Sequence, residues 1–180
     1  YTTKIFSTPK ILILILNRGK GNEFNIKINF DKIISIGKYV EQKEKEELNY
    51  ELYGANSIIL VNGGGLALIR GIISTSKKGS NAIVSTFNGT VRINGTNIIL
   101  TGDSYAKGLL GIYGGKIIAP NIVIKTLGIS STTLSSEYGK VICTNCELET
   151  WGLGSPLIHS VGTIKITNTR EMVNKAQAIY

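Results

Sequence analysis

The chain has 180 residues, 42% of them hydrophobic, with 21 glycines and a net charge of +8 at neutral pH. That is room for one domain, or a domain with an appendage, at an apolar content ordinary for a globular protein. Two cysteines exclude a disulfide framework, the apolar run at residues 11–16 is too short to span a bilayer, and the dispersed Lys and Arg residues form no compact nucleic-acid patch. The excess positive charge still favours anionic partners such as acidic glycans or a membrane surface, or simply serves solubility. The opening Tyr1-Thr2-Thr3-Lys4 lacks the initiator Met and the basic-then-apolar layout of a signal peptide, so the chain reads as a fragment and its location stays open.

Residues 1–56 lack the repeat that follows them. Ile11-Leu12-Ile13-Leu14-Ile15-Leu16 is a continuous apolar run that predicts a strand buried on both faces. Asn17-Arg18-Gly19-Lys20-Gly21-Asn22 is turn chemistry. Phe24-Asn25-Ile26-Lys27-Ile28-Asn29-Phe30 then alternates strictly, which predicts a half-buried strand paired back on the first as a hairpin. Asp31-Lys32-Ile33-Ile34 begins a connector, the mixed charge run at 41–47 a solvated loop, and Tyr50-Glu51-Leu52-Tyr53-Gly54 a further short strand. This β-rich segment is expected to cap what comes after it.

From residue 57 glycines recur at Gly65, Gly89, Gly115, Gly139 and Gly162, in steps of 24, 26, 24 and 23 residues. The second and fourth residues after each glycine are small or apolar: Ala67/Ile69, Val91/Ile93, Ile117/Ala119, Val141/Cys143 and Ile164/Ile166. Alternate residues of a strand point the same way, so these pairs face inward. Six residues after each glycine comes Gly71, Gly95, Asn121, Asn145 or Asn168, the two residue types that best tolerate φ > 0. The asparagines could bond to one another as an internal ladder. A second apolar strand includes Ile98/Leu100, Ile122/Ile124 and Leu148, and a third apolar position lies five residues before each glycine: Leu60, Val84, Leu110, Leu134 and Leu157. Three short strands in about 24 residues predict an all-β chain, a right-handed parallel β-helix over residues 57–180, truncated at its C-terminal end, whose last rung is an exposed edge for self-association.

Chemistry-bearing residues are few. Cys143-Thr144-Asn145-Cys146 has the spacing of a metal or thiol-redox motif, but Cys143 occupies an inward slot and reads equally as a small buried hydrophobe. His159 lies three residues before Gly162, in the slot of Thr86, Ile112 and Ser136, where nothing demands a base. Glu147 and Glu149 flank the inward Leu148 and point outward together, but no Asp-rich cluster accompanies them as polysaccharide cleavage would need. The outward slots hold the candidate ligand-binding residues. Lys116 and Lys140 share one slot in adjacent rungs, with Arg92 and Lys165 two positions further along their own strands. Phe87, Tyr113 and Tyr138 precede successive glycines and form an aromatic row that either stacks on sugar rings or packs on itself. Asn88-Gly89-Thr90 and Asn94-Gly95-Thr96 are formal glycosylation sequons. No catalytic residue, metal or cofactor is assigned.

Two resemblances accompany these patterns. Pro9-Lys10-Ile11-Leu12-Ile13-Leu14-Ile15-Leu16-Asn17-Arg18-Gly19-Lys20-Gly21-Asn22-Glu23-Phe24, with Tyr50-Glu51-Leu52-Tyr53-Gly54, is similar to part of the ubiquitin-specific protease (ubiquitin carboxyl-terminal hydrolase) domain, just ahead of its catalytic histidine. The resemblance implies a His-x-Gly soon after Gly54; Ala55-Asn56-Ser57-Ile58-Ile59 stands there instead, so no catalytic role carries over. Tyr113-Gly114-Gly115-Lys116-Ile117-Ile118-Ala119-Pro120-Asn121-Ile122 and Gly162-Thr163-Ile164-Lys165-Ile166-Thr167-Asn168-Thr169 resemble β-helical repeats of bacterial surface or secreted proteins, often carbohydrate-binding or adhesin-like. That resemblance implies a non-enzymatic binding module for glycans or cell-surface contact, located outside the cell. The alternatives are an inactive or truncated relative of the ubiquitin hydrolases, which implies the cytoplasm, and a polysaccharide-processing enzyme.

Overall fold

Apolar alternation every second residue, interrupted every few residues by a left-handed corner, makes this chain coil into stacked rungs rather than fold back in hairpins. The computed structural model describes residues 13–16, 25–29, 32–35, 57–75, 79, 81–101 and 104–175. The described residues hold strands and no helix, and every registered strand pair is parallel. The fold is a parallel β-helix.

One six-stranded sheet forms the first face: β1 (Ile13–Leu16), β4 (Ile59–Asn62), β6 (Ile83–Thr86), β8 (Lys107–Ile112), β11 (Thr132–Glu137) and β14 (Ile158–Ser160). A second sheet of ten strands wraps the other two faces. On its second face lie β2 (Asn25–Asn29), β9 (Lys116–Pro120), β12 (Lys140–Thr144) and β15 (Thr163–Thr167); on its third lie β3 (Lys32–Ser35), β10 (Val123–Thr126), β13 (Glu147–Thr150) and β16 (Arg170–Val173). β5 (Gly65–Thr75) and β7 (Thr90–Thr101) are long and run through both. From residue 57 onward the expected three strands per rung are therefore separate only where Asn121, Asn145 and Asn168 turn the chain, at φ of 54°, 55° and 49°. At Gly71 and Gly95 the strand runs on, with a register shift between Ile69 and Gly71.

The N-terminal strands correct the expected hairpin. β1 pairs with β4, and β2 and β3 pair with β5, all in parallel; β1 and β2 lie in different sheets. Lys32–Ser35, expected as connector, is the third of these strands. An alternating strand offers its backbone equally to a parallel or an antiparallel partner, and the edge of β5 supplies the parallel one. The charge run at 41–47 and the strand expected at 50–54 lie outside the described residues, as does the ubiquitin-protease-like stretch apart from Ile13–Leu16.

Backbone bonds fix the register at the glycines. The amides of Thr90, Lys116, Lys140 and Thr163 donate to the carbonyls of Gly64, Gly89, Gly115 and Gly139 at 2.8–3.0 Å. Gly64, not Gly65, is thus the first of the series, and it is Leu66 and Leu68, rather than Ala67 and Ile69, whose backbone aligns with Val91 and Ile93. The core column Leu66–Val91–Ile117–Val141 is buried throughout. On the third face Ile99, rather than Ile98 or Leu100, aligns with Ile124 and Leu148, because that rung carries one extra residue at the second corner relative to the rungs on either side.

On the first face the inward column is Ile59–Ile83–Leu109–Leu134–Ile158. Leu60, Val84 and Leu110 do share a column, but on the opposite side, where they form a separate buried cluster with Ile112. Burial on both sides of these strands removes the alternation by which sidedness is read from sequence.

Candidate ligand-binding face

The second face presents its outer side as a run of aligned slots. Lys116 pairs directly with Lys140, with Thr90 and Thr163 in the same slot of the flanking rungs. Two positions on, the slot holds Arg92, Ile118, Ile142 and Lys165. Arg92 and Lys165 are exposed and the four residues between them are half-buried. The six side chains make a shallow surface in which Ile118 and Ile142 are an apolar floor and four cations stand around it. It spans four rungs, about 14 Å at the usual interstrand spacing. Neither Lys116 nor Lys140 forms an ion pair, and no carboxylate shares these two slots among the described residues. Like charges directly opposite each other in a sheet are destabilising, so this pairing has a cost that nothing local offsets.

The aromatic row borders this surface at the first corner. Phe87, Tyr113 and Tyr138 sit at equivalent positions with φ of 47°, 46° and 58°. Large side chains rarely adopt that conformation, and each such residue is strained by about 1–2 kcal/mol. Phe87 and Tyr113 stack with ring centroids 5.7 Å apart and an interplanar angle of 26°. Tyr138 is 70% exposed. Packing within the row thus joins its first two members, and the third is exposed two residues before Lys140. Asn88 of the first sequon is exposed at this corner; the side chain of Asn94 lies outside the described set.

The other candidates resolve differently. Cys143 is fully buried in the inward column of Ala119 and Ile166, as its slot required, but it is no free thiol: it is disulfide-bonded to Cys146. The bond ties β12 to β13 across the left-handed Asn145, where neighbouring rungs place Ala119 with Ile122 and Ile166 with Thr169. The described residues hold no cluster of three or more metal-ligating side chains. The asparagine ladder exists between Asn145 Nδ2 and Asn121 Oδ1 at 3.2 Å, but at an exposed corner, not inside. His159 pairs with Ser135, one slot from its expected place, with Nδ1 3.5 Å from Ser135 Oγ.

On the third face Glu147 and Glu149 point outward as expected, yet Glu149 is 4% exposed. Its Oε2 lies 2.9 Å from Lys125 Nζ and accepts a 3.2 Å hydrogen bond from the Trp151 indole. The hydrogen bond from Lys125 is the main cause holding this carboxyl below its ordinary value, against the opposing effect of burial. Glu149 is therefore a fixed anion, unsuited to donate the proton that glycoside cleavage requires. The pairing of Lys125 with Glu149 follows from register alone, but Trp151 as their cover does not announce itself in the sequence.

No helix among the described residues is long and apolar enough to cross a membrane. No family model, curated protein or solved structure matches this chain.

Proposed function

We propose that this β-helix is a non-enzymatic binding module whose second face takes up an acidic glycan or a similar polyanion, in a surface or extracellular setting. The observation that carries the reading is the side-by-side placement of Lys116 and Lys140 with no carboxylate in their slots. A chain of carboxylate- or sulfate-bearing sugars laid along the rungs would neutralise that pair and reach Arg92 and Lys165 at its ends. Its ring faces would meet Ile118, Ile142 and the exposed Tyr138. The strained aromatic corner supports the same reading, since glycine or asparagine would hold that backbone at lower cost. The Cys143–Cys146 disulfide suits an oxidising compartment.

Titration of the protein with acidic and neutral polysaccharides of matched length tests this. Acidic chains are expected to bind, with affinity falling as salt rises, and Lys116→Glu/Lys140→Glu to weaken binding at least tenfold while neutral chains bind neither protein. Equal binding of both glycan classes, or no loss in the double variant, counts against the proposal. Release of reducing sugar from any of these chains would replace it with polysaccharide processing.

A further inference from the structure

A different surface stands apart from the basic face. Half of the exposed large hydrophobic residues among those described gather at the third corner: Tyr105 (52% exposed), Leu127 (56%), Ile129 (54%), Trp151 (43%) and Leu153 (64%). Backbone bonds set them in register. Trp151 N donates to Thr126 O, placing Trp151 beside Leu127; Tyr105 N donates to Ile129 O and Ser130 N to Leu153 O, placing Leu153 beside Ile129. Gly128 and Gly152 lie between these side chains, so close that a Cβ on Gly152 would overlap the Gly128 backbone. The turns are therefore pressed together and their apolar side chains project on either side as a convex ridge.

The ridge is ordered by polarity. Leu127, Ile129 and Leu153 are the projecting aliphatic residues. Trp151 turns its polar edge back, its Nε1 donating to Glu149, which Lys125 neutralises at 2.9 Å. The side chain of Lys125 is 39% exposed, and the exposed Lys175 backs the corner through the bond from Gly154 N to its carbonyl. Aliphatic residues outermost and an indole with its N–H directed to the Lys125–Glu149 pair behind them match the depth profile of a bilayer surface. A protein groove would need no such grading, and the chain's net charge of +8 draws it to anionic lipid.

We propose that the third corner is a membrane-docking ridge. It inserts Leu127, Ile129 and Leu153 below the headgroups of an anionic bilayer and seats Trp151 at headgroup level.

Trp151 is the sole tryptophan, so its emission reports on this site alone. The full chain is mixed with phosphatidylcholine vesicles, with and without phosphatidylserine. The proposal expects a blue shift and quenching by brominated acyl chains, stronger with phosphatidylserine. Leu127→Ser/Leu153→Ser should lower partitioning about tenfold, and Leu127→Met/Leu153→Met should leave it nearly unchanged. The apolar pair shows that loss of binding comes from loss of hydrophobicity and not of fold. Unshifted emission with both vesicles, binding without quenching by brominated chains, or undiminished binding of the serine variant overturns the proposal. A blue shift that appears without lipid and grows with protein concentration overturns it in favour of a second copy of this chain.

Discussion

Gly115→Ala tests whether the recurrent glycine is required for space or for backbone freedom. A Cβ at Gly115 would fall well inside contact distance of the Ser85 carbonyl and 2.7 Å from the Thr86 amide nitrogen. Both are backbone atoms of the preceding rung, so no rotamer change relieves the overlap. The two rungs must move apart and the turn must shift, which strains the bond between them from Lys116 N to Gly89 O at 2.8 Å and the bond that closes the turn from Gly115 N to Ile112 O at 2.9 Å. Losing two bonds at about 1 kcal/mol each and overpacking the corner by about 1–3 kcal/mol sums to about 3–5 kcal/mol. Gly154 supplies the contrast. Its Cβ would meet nothing closer than Ser130 Oγ at 3.7 Å, but its φ is +63°. Gly154→Ala should cost only the left-handed penalty, about 1–2 kcal/mol, and Gly154→Asn less. Urea unfolding of the three variants gives the ranking. Gly154→Ala costing as much as Gly115→Ala, or Gly115→Ala within about 1 kcal/mol of the parent, would refute the reasoning.

Reduction of Cys143–Cys146, which closes a loop of four residues, should lower stability by about 2 kcal/mol on the chain-entropy argument. Cys143→Ala/Cys146→Ile, which copies Ala119 and Ile122, should recover most of it; an unchanged melting midpoint in dithiothreitol would show that the bond does not stabilise the corner. Because the folded carboxyl of Glu149 titrates below its ordinary value, its contribution is complete above the carboxylate range and is lost as pH falls through the folded value. Glu149→Gln should therefore flatten the acid limb of a melting-temperature profile, and parallel profiles would exclude the Lys125 pairing as its cause. In the last described rung the inward column Ile124–Leu148 ends in Glu171, where a rung laid on top would bury a charge. Glu171→Leu should raise the sedimentation coefficient at high protein concentration, and no difference from the parent would deny Glu171 a role in keeping that edge single.

Much of the β-helix is legible because its inward slots repeat. Val91 and Ile93, Ile117 and Ala119, and Val141 and Cys143 face the core as the period requires, and Lys116 meets Lys140 because equal steps after Gly115 and Gly139 leave no other register. What the sequence hides has specific causes. Gly63-Gly64-Gly65 offers three equivalent origins, and only the bond from Thr90 N selects Gly64. Ile59-Leu60 and Leu109-Leu110 are buried on both sides, so no alternation distinguishes in from out. The spacing of Cys143 and Cys146 says nothing of the turn between them, and it is the left-handed Asn145 that brings their Cα atoms to 6.1 Å. The third corner escapes notice because Leu127, Ile129 and Leu153 stand singly among glycine and serine and become neighbours only across rungs.

In a stacked coil each inward slot is dictated by the rungs above and below, so selection for ligand contact can act freely only on outward slots. Three features there oppose stability. Lys116 faces Lys140 where the same slot holds Thr90 and Thr163; Tyr113 and Tyr138 are strained where Gly63, at φ of 70°, shows the corner's cheaper residue; Leu127, Ile129 and Leu153 meet solvent at turns that polar residues would suit. Each penalty is of a kind that a specific partner removes. An anion cancels the lysine repulsion, a ring stacked on Tyr138 uses an aromatic that the corner itself does not need, and lipid takes the exposed aliphatic surface. The first two penalties fall on adjoining parts of one surface and the third on a separate corner. The two proposals are therefore compatible: a polyanion along the second face and a bilayer at the third corner would occupy separate surfaces.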